Sequence, residues 1–426
     1  MIVTRASDDV ASVMRPDYGR AVTPPVLPAS VTAVLDRLVP WPDDGTRADG
    51  PVAVDATDRL LLTEAAERLA TAAAGDVVVV GDRFGALTLG VLALGAPDVR
   101  THTDAVDAEV ALQHNLQAAE LPAGPTAVVH GTLEPSLLDG ARLVLLQLPK
   151  SLAELTEIAE AVARHAADDV TVLAGGRIKH MTRAMNDVLG DRFVEVHATL
   201  ARSKSRALVA SGTRPEARVA DPLHPARERL VDPELLAAAT PTDGGTPPDH
   251  LDVVAHGGTF AGPALDHGTR FLLGTAGRWP AADRVRDAVD LGSGTGLLSV
   301  VLARRYPAAR VVASDRSAAA VASTRATLAA NGVSAVVQRG DAGADLPDAS
   351  ADVVLLNPPF HDRAGVSTDA AHRMFAAAGR LLRPGGELWC VYNTRLRYRG
   401  SLARAVGPTD HVAQDPRFTV TRSRKV

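Results

Sequence analysis

The sequence predicts an α/β protein built from two tandem doubly wound domains with mostly parallel sheets. Three observations carry this expectation. Short apolar runs alternate with helical stretches between Val289 and Leu356, the pattern of successive βαβ units. A glycine-rich turn, Gly292-Ser293-Gly294-Thr295-Gly296, follows the first of those runs. Landmarks of the series recur in the first half at an offset of 211 residues, which pairs Gly85 with Gly296 and Asp104 with Asp315.

In the second half the first strand is Val289-Asp290-Leu291, and a helix opens at Leu297. Gly292, Gly294 and Gly296 let the backbone turn tightly and approach a ligand without Cβ interference. Leu297 stands where a dinucleotide fingerprint would carry its third glycine, and Asp290 is a poor neighbour for a pyrophosphate. A cofactor with a cationic ammonium and sulfonium and no phosphate fits better. Arg310 to Ser314 reads as the second strand, ending in Asp315, whose carboxylate can accept both hydroxyls of a ribose. A helix follows from Ala318 to Ala330 and stops at Asn331-Gly332. Val333 to Arg339 is the third strand, and Asp341 at its tip is placed to meet an adenine edge.

The fourth strand, Asp352 to Leu356, runs into Asn357-Pro358-Pro359-Phe360. Two prolines fix φ and remove two N–H donors, so the strand exit presents carbonyls without competing donors. Pro358 also drives Asn357 towards an extended conformation. An amide oxygen, a rigid carbonyl and an aromatic face then stand together. They suit a planar amine, whose two hydrogens need two acceptors and whose ring needs a stacking partner. Asn357, Pro358 and Phe360 are therefore the candidate catalytic residues.

From about Phe260 to Lys425 the chain resembles class I S-adenosylmethionine-dependent methyltransferases with a small methyltransferase domain. More narrowly, it is similar to bacterial rRNA guanine-N2 methyltransferases. Besides the Asn-Pro-Pro-Phe tetrapeptide, Leu265-Asp266-His267-Gly268-Thr269-Arg270-Phe271 resembles the family segment ahead of the glycine loop. The resemblance places Gly268 and Thr269 beside the cofactor. It implies S-adenosyl-L-methionine as cofactor, held by Gly268, Thr269, Asp290, Gly292, Gly294, Gly296, Asp315, Asp341 and Asn357. It implies an N2-methylated guanine in ribosomal RNA as product. One departure is Asn393-Thr394-Arg395-Leu396, where the family carries Asn-Arg-His-Leu. Adenine N6 and a protein glutamine N5 remain alternative acceptors, because both are gripped by Asn-Pro-Pro-aromatic sequences. A non-catalytic RNA-binding assembly factor is disfavoured by the intact Asp290, Gly294, Asn357 and Phe360. A nicotinamide oxidoreductase is disfavoured by the missing third glycine.

The first half reads as a decayed copy. Gln147-Leu148-Pro149-Lys150 stands where the second copy has Asn357-Pro358-Pro359-Phe360. Arg83 replaces Gly294 and is expected to crowd a cofactor, Val79 replaces Asp290, and Lys150 replaces the aromatic. The front copy is thus expected to keep the fold, bind no cofactor and grip RNA. Lys150, Lys179 and Lys204 fall in it, and the whole chain holds 4 Lys against 41 Arg.

Breakers divide the chain into an arm or loosely packed lead-in at 1–45, a degenerate methyltransferase-like domain at 46–206, a linker at 207–250 and a catalytic domain at 251–426. A helix is expected inside the linker at Asp232 to Ala239. With 46 % hydrophobic residues and a mean hydropathy of +0.04, the chain is globular and large enough for two cores. No apolar stretch approaches the roughly 18 residues of a membrane helix, and no secretory signal follows Arg5. The lone Cys390 excludes an internal disulfide and any cysteine-cluster metal site, so no metal, a cytoplasmic location and a monomer are expected. A net charge of −5 argues against binding nucleic acid over the whole surface.

Overall fold

A computed structural model describes residues 26–43, 45–46, 50–121, 124–359 and 369–426. Its first sheet is formed by β1 (Val77–Val80), β2 (Asp98–His102), β3 (Thr126–His130), β4 (Leu143–Gln147), β5 (Thr171–Arg177), β6 (Phe193–Ala198) and β7 (Ser205–Thr213). The strands lie in the order β3-β2-β1-β4-β5-β7-β6, parallel except for the pairings of β7 with β5 and β6. All four residues of β1 are buried, as expected of a central strand covered by helices on both faces.

A short hairpin of β8 (Ala226–Leu230) and β9 (Leu251–Ala255) follows. The second sheet is made from β10 (Asp287–Leu291), β11 (Arg310–Asp315), β12 (Val336–Arg339), β13 (Ala351–Leu356), β14 (Leu382–Asn393), β15 (Thr409–Gln414) and β16 (Phe418–Arg424). Its order, β12-β11-β10-β13-β14-β16-β15, repeats that of the first sheet strand for strand. Each sheet has an apolar core on both faces. In the second, the fully buried Trp389 packs against Trp279 with ring centroids 6.4 Å apart, and Phe375 anchors the opposite face. Cys390 is buried in β14, where burial pushes its thiol up and keeps it unreactive.

Three expectations about organisation are corrected. The boundary drawn at 206/207 falls inside β7, whose Ala207-Leu208-Val209-Ala210 run is buried between β5 and β6. That strand enters the sheet out of chain order, so no local turn signal marks it. The stretch read as a linker holds β8 and, where a helix was expected, the Pro233–Ala238 helix, which Asp232 caps by accepting from Leu235 N–H. Residues 26–43 are not loosely packed. The Ala29–Leu35 helix buries Val31 and Leu35 in the first core, and Trp41 stacks on His114 at 4.1 Å.

The two copies meet through equivalent segments, each just past its second strand. Val106 N–H donates to the Arg316 carbonyl at 3.0 Å, and Ala318 N–H to the Asp104 carbonyl at 2.9 Å. Arg316 pairs with Asp107 at 3.2 Å and Arg339 with Glu109 at 2.7 Å. Among the described residues no helix is long and apolar enough to cross a membrane, and no His, Cys, Asp or Glu group could hold a metal.

Candidate active site

The sheet order places the tips of β12, β11, β10 and β13 side by side, so Asp341, Asp315, the glycine loop and Asn357 line one edge. Ligands of open α/β sheets bind at such carboxyl ends. Gly296 begins the Leu297–Arg305 helix with φ +81°, and a Cβ there would stand 2.7 Å from the Thr324 Cα. Gly294 has φ +53°, with open space where its Cβ would be. Only glycine fits the first position without a clash, and the second leaves bare backbone facing outward.

Asp315 ties the loop to the next strand. Its Oδ2 accepts from Gly294 N–H and its Oδ1 from Ser317 N–H, both at 2.9 Å. Burial raises its pKa, opposed by those two bonds. Asp290 lies beneath the loop at 1 % exposure. Its Oδ2 accepts from the Ser299 hydroxyl at 2.6 Å, while Oδ1 is buried without a partner among the described residues. Burial, then the nearby Asp315 charge, lifts its pKa to about 7. Asp341, past β12, contacts the Arg373 guanidinium at 3.4 Å.

Asn357 is the most constrained polar group at this edge. Its Nδ2 donates to Asp266 Oδ2 and to Thr269 Oγ1, both at 3.0 Å. Its Oδ1 is buried and has no hydrogen-bond partner among the described residues. Asp266 caps the His267–Leu273 helix, with Oδ2 also accepting from Thr269 N–H at 2.9 Å. Between them lies Gly268, where a Cβ would come within 3.2 Å of the Phe418 ring and 3.5 Å of the Asn357 amide nitrogen. Thus Gly268 and Thr269, read as cofactor neighbours, sit against Asn357. Pro358 is buried beside it, while Phe360 and His361 lie outside the described residues. Asp266 and Ser299 were not singled out from the sequence, although an Asp three residues ahead of a Thr at a helix start is a recognisable cap.

The first copy carries the same frame with altered chemistry. At the same offset of 211, Asp55 caps the Ala56–Leu69 helix as Asp266 caps its own, and Asp58 stands where Thr269 does. Gln147 donates from Nε2 to Asp58, as Asn357 does to Thr269. Burial, then the Asp55 and Asp82 charges, raises the Asp58 pKa to about 8. Asp82 fills the former glycine loop, accepting from Gly85 N–H at 2.9 Å and from Thr88 N–H at 2.8 Å. Arg83 does not enter the loop as expected. It is exposed, with its guanidinium 5.0 Å from the Phe84 ring centroid.

Residues 40–214 match the family of the RLMG N-terminal domain, and residues 250–422 that of the methyltransferase small domain. The chain is 36 % identical to the ribosomal RNA large subunit methyltransferase G of Streptomyces coelicolor, covering 92 % of this chain and 98 % of that protein. It is 33 % identical to the protein of the same name from Ectopseudomonas mendocina, over 88 % and 93 %. Among solved structures, a T. Thermophilus 16S rRNA N2 methyltransferase in complex with AdoMet and guanosine superposes with a TM-score of 0.67. That match covers 87 % of this chain and 92 % of the other at 21 % identity, which supports the fold. The strand order, the doubled architecture and these relatives agree, and the chain belongs to the ribosomal RNA large subunit methyltransferase G family.

Proposed function

We propose that this S-adenosylmethionine-dependent rRNA methyltransferase modifies the exocyclic N2 amine of a guanine in large-subunit rRNA. One observation carries the reading. Both hydrogens of the Asn357 amide are committed to Asp266 and Thr269, so its buried Oδ1 faces away from them as an unpaired acceptor. An unpaired buried acceptor is costly unless a ligand satisfies it.

S-adenosylmethionine supplies an electrophilic methyl group when bound. The residues present fit it. Gly292, Gly294 and Gly296 offer bare backbone, Asp315 and Asp341 offer carboxylates at neighbouring strand ends, and Asp290 offers an unpaired oxygen for a cationic group. Gly268 and Thr269 border the same edge through Asn357.

On the acceptor side, Asn357 Oδ1 and the Pro358 carbonyl take the two N–H groups of the amine. The nitrogen is drawn towards tetrahedral geometry, and its lone pair is directed along one line. Phe360, assigned from sequence alone, stacks on the base. Holding two reactants in line contributes on the order of several kcal/mol, with no general base required. A paired guanine must first leave its stack to reach this depth.

The front domain binds no cofactor and contacts RNA in this reading. Asp82 occupying its own loop supports the first part. The second is supported by a basic edge at the ends of β4, β5 and β7. There Ile178 N–H donates to the Lys204 carbonyl at 3.0 Å, and the His180 pKa is lowered by slight burial, then by Lys179, Lys150 and Arg177.

The test is nucleoside mass spectrometry of rRNA from a deletion strain, complemented with wild type or Asn357→Ala. N2-methylguanosine should vanish on deletion and return only with wild type. Loss of an N6-methyladenosine instead would move the acceptor to adenine.

A further inference from the structure

We propose that the groove beside Asn357, between the His267–Leu273 helix and the turn joining β15 to β16, holds the nucleotide next to the target in a single strand. This inference rests on the RNA-substrate reading above.

The groove has a volume of about 380 Å³ and is lined by His267, Phe271, Gly274, Thr275, Arg417 and Phe418 among others. It adjoins the amine grip without including it. Gly268 and Phe418 form the shared wall, since the Phe418 Cε1 lies 3.2 Å from where a Gly268 Cβ would be. The groove therefore lies on the Nδ2 side of the Asn357 amide, across Gly268, while Oδ1 faces the other way, and an adjoining nucleotide reaches it around that wall.

The turn that presents this ring is rigidly built. Asp415 Oδ1 accepts from Arg417 N–H at 2.6 Å and from Phe418 N–H at 2.5 Å. Thr394 N–H donates to the Arg417 carbonyl at 2.9 Å, fastening the turn to the end of β14. The acids of the groove are already engaged, Asp415 by those amides and Glu234 by Arg270.

Of the two arginines that line the groove, Arg270 is held by Asp232 and Glu234, and Arg417 has no side-chain partner among the described residues. The late arginines divide into two groups. Arg422 pairs with Asp410 at 2.6 Å, Arg424 with Glu387 at 3.2 Å, and Arg399 bonds the Thr409 carbonyl at 3.0 Å. Arg395, Arg397 and Arg417 are exposed and make no side-chain hydrogen bond or ion pair among the described residues. Arg397 is also held at φ +49°, an uncommon left-handed setting for a side chain of its size. An aromatic wall with the unpaired Arg417 beside it, and Arg395 one residue past the Thr394 amide that bonds the Arg417 carbonyl, is suited to single-stranded nucleic acid, the ring taking a base and a guanidinium group a phosphate.

The test is binding of the full chain to an oligoribonucleotide of about 10 nucleotides, with one guanine among uracils, followed by anisotropy across salt concentrations. Phe418→Leu keeps apolar bulk and removes the stacking face. It should weaken binding about 5- to 150-fold, the range of one base–aromatic stack. Removing the base beside the guanine should cancel that difference. Arg417→Gln together with Arg395→Gln should lower the slope of log affinity against log salt by about 0.7 for each phosphate no longer neutralised. Cofactor affinity, measured by calorimetry on the same samples, should stay at the wild-type value. Wild-type RNA affinity and salt slope in both variants would overturn the proposal. Binding is read without turnover, so an acceptor other than guanine N2 shows in the nucleoside analysis alone and leaves this result standing.

Discussion

The carboxylate of Asp266 decides which way the Asn357 amide faces. It lies 3.0 Å from Nδ2, and turning the amide over would set two oxygens against each other. Asp266→Ala should therefore lower kcat by about 10- to 100-fold through misplacement of the acceptor, with cofactor affinity within about threefold of wild type. Asp266→Asn keeps an acceptor and the helix cap and should recover much of the loss. Asn357→Ala should be the more damaging change, again chiefly in kcat. Single-turnover kinetics with calorimetry check this, and a parallel fall in both quantities would show a wider collapse of the site.

Asp290 should make S-adenosylmethionine binding depend on pH. Its carboxyl holds a proton up to about pH 7 in the free protein. A cationic ligand group beside the unpaired Oδ1 favours the carboxylate, so binding expels that proton. Affinity for S-adenosylmethionine should fall as pH drops below about 7 and level off above it. Asp290→Asn should flatten the profile. Calorimetry in buffers of different ionisation enthalpy measures the released proton directly.

Asp58 works against stability. Its pKa is about 8 in the folded chain against an ordinary value of 3.8. Between these values the folded state holds a proton that the unfolded state has released, so stability is lost as pH rises across that window. Asp58→Asn should raise Tm by at least about 2 °C at pH 8, and by less at pH 5. A thermal melt at each pH is sufficient, and an equal or negative shift at pH 8 would remove burial as the cause.

If the basic edge of the front domain grips rRNA, Lys150, Lys179 and Lys204 changed together to Glu should weaken rRNA binding and flatten its salt dependence. Cofactor affinity should not move, because the glycine loop belongs to the other sheet. Filter binding at several salt concentrations reads both effects. An unchanged slope would mark these lysines as an ordinary solvated face.

Asp104 gives the front domain a second reason to be kept. It stands at the offset of Asp315, yet its Oδ1 accepts from the Ser317 hydroxyl and from Ala319 N–H, both at 2.9 Å. Ser317 N–H in turn binds Asp315. Asp104→Ala should therefore weaken S-adenosylmethionine binding several-fold, although the residue is in the wrong half to touch it. Calorimetry decides, and an unaltered affinity would confine Asp104 to holding the halves together.

How much of the fold and site was legible in the sequence depended on whether the signal was local. Gly292 to Gly296, Asp315, the Ala318–Ala330 helix and the Asn357 exit each announce themselves through neighbouring residues, and each stands at the predicted edge. The Asp266–Asn357 bond spans 91 residues, and nothing near either residue points to the other. Arg83 misled for a related reason. Its length suggested crowding, but the short Asp82 beside it bonds two helix amides and takes the space, leaving Arg83 outside. β7 was missed because its partners, β5 and β6, precede it in the chain and close around it.

The repeated strand order, joined through matching segments at Asp104–Val106 and Arg316–Ala318, is the geometry of a symmetric pair written as one chain. In a pair of identical subunits every substitution appears twice, so neither subunit can surrender a site while the other keeps it. Covalent linkage removes that restriction. One half can replace its aromatic with Lys150 and seal its loop with Asp82 while the other keeps Asn357 and Gly294. The halves are also made in equal number and at fixed spacing, so each active site is delivered with its own neighbour attached.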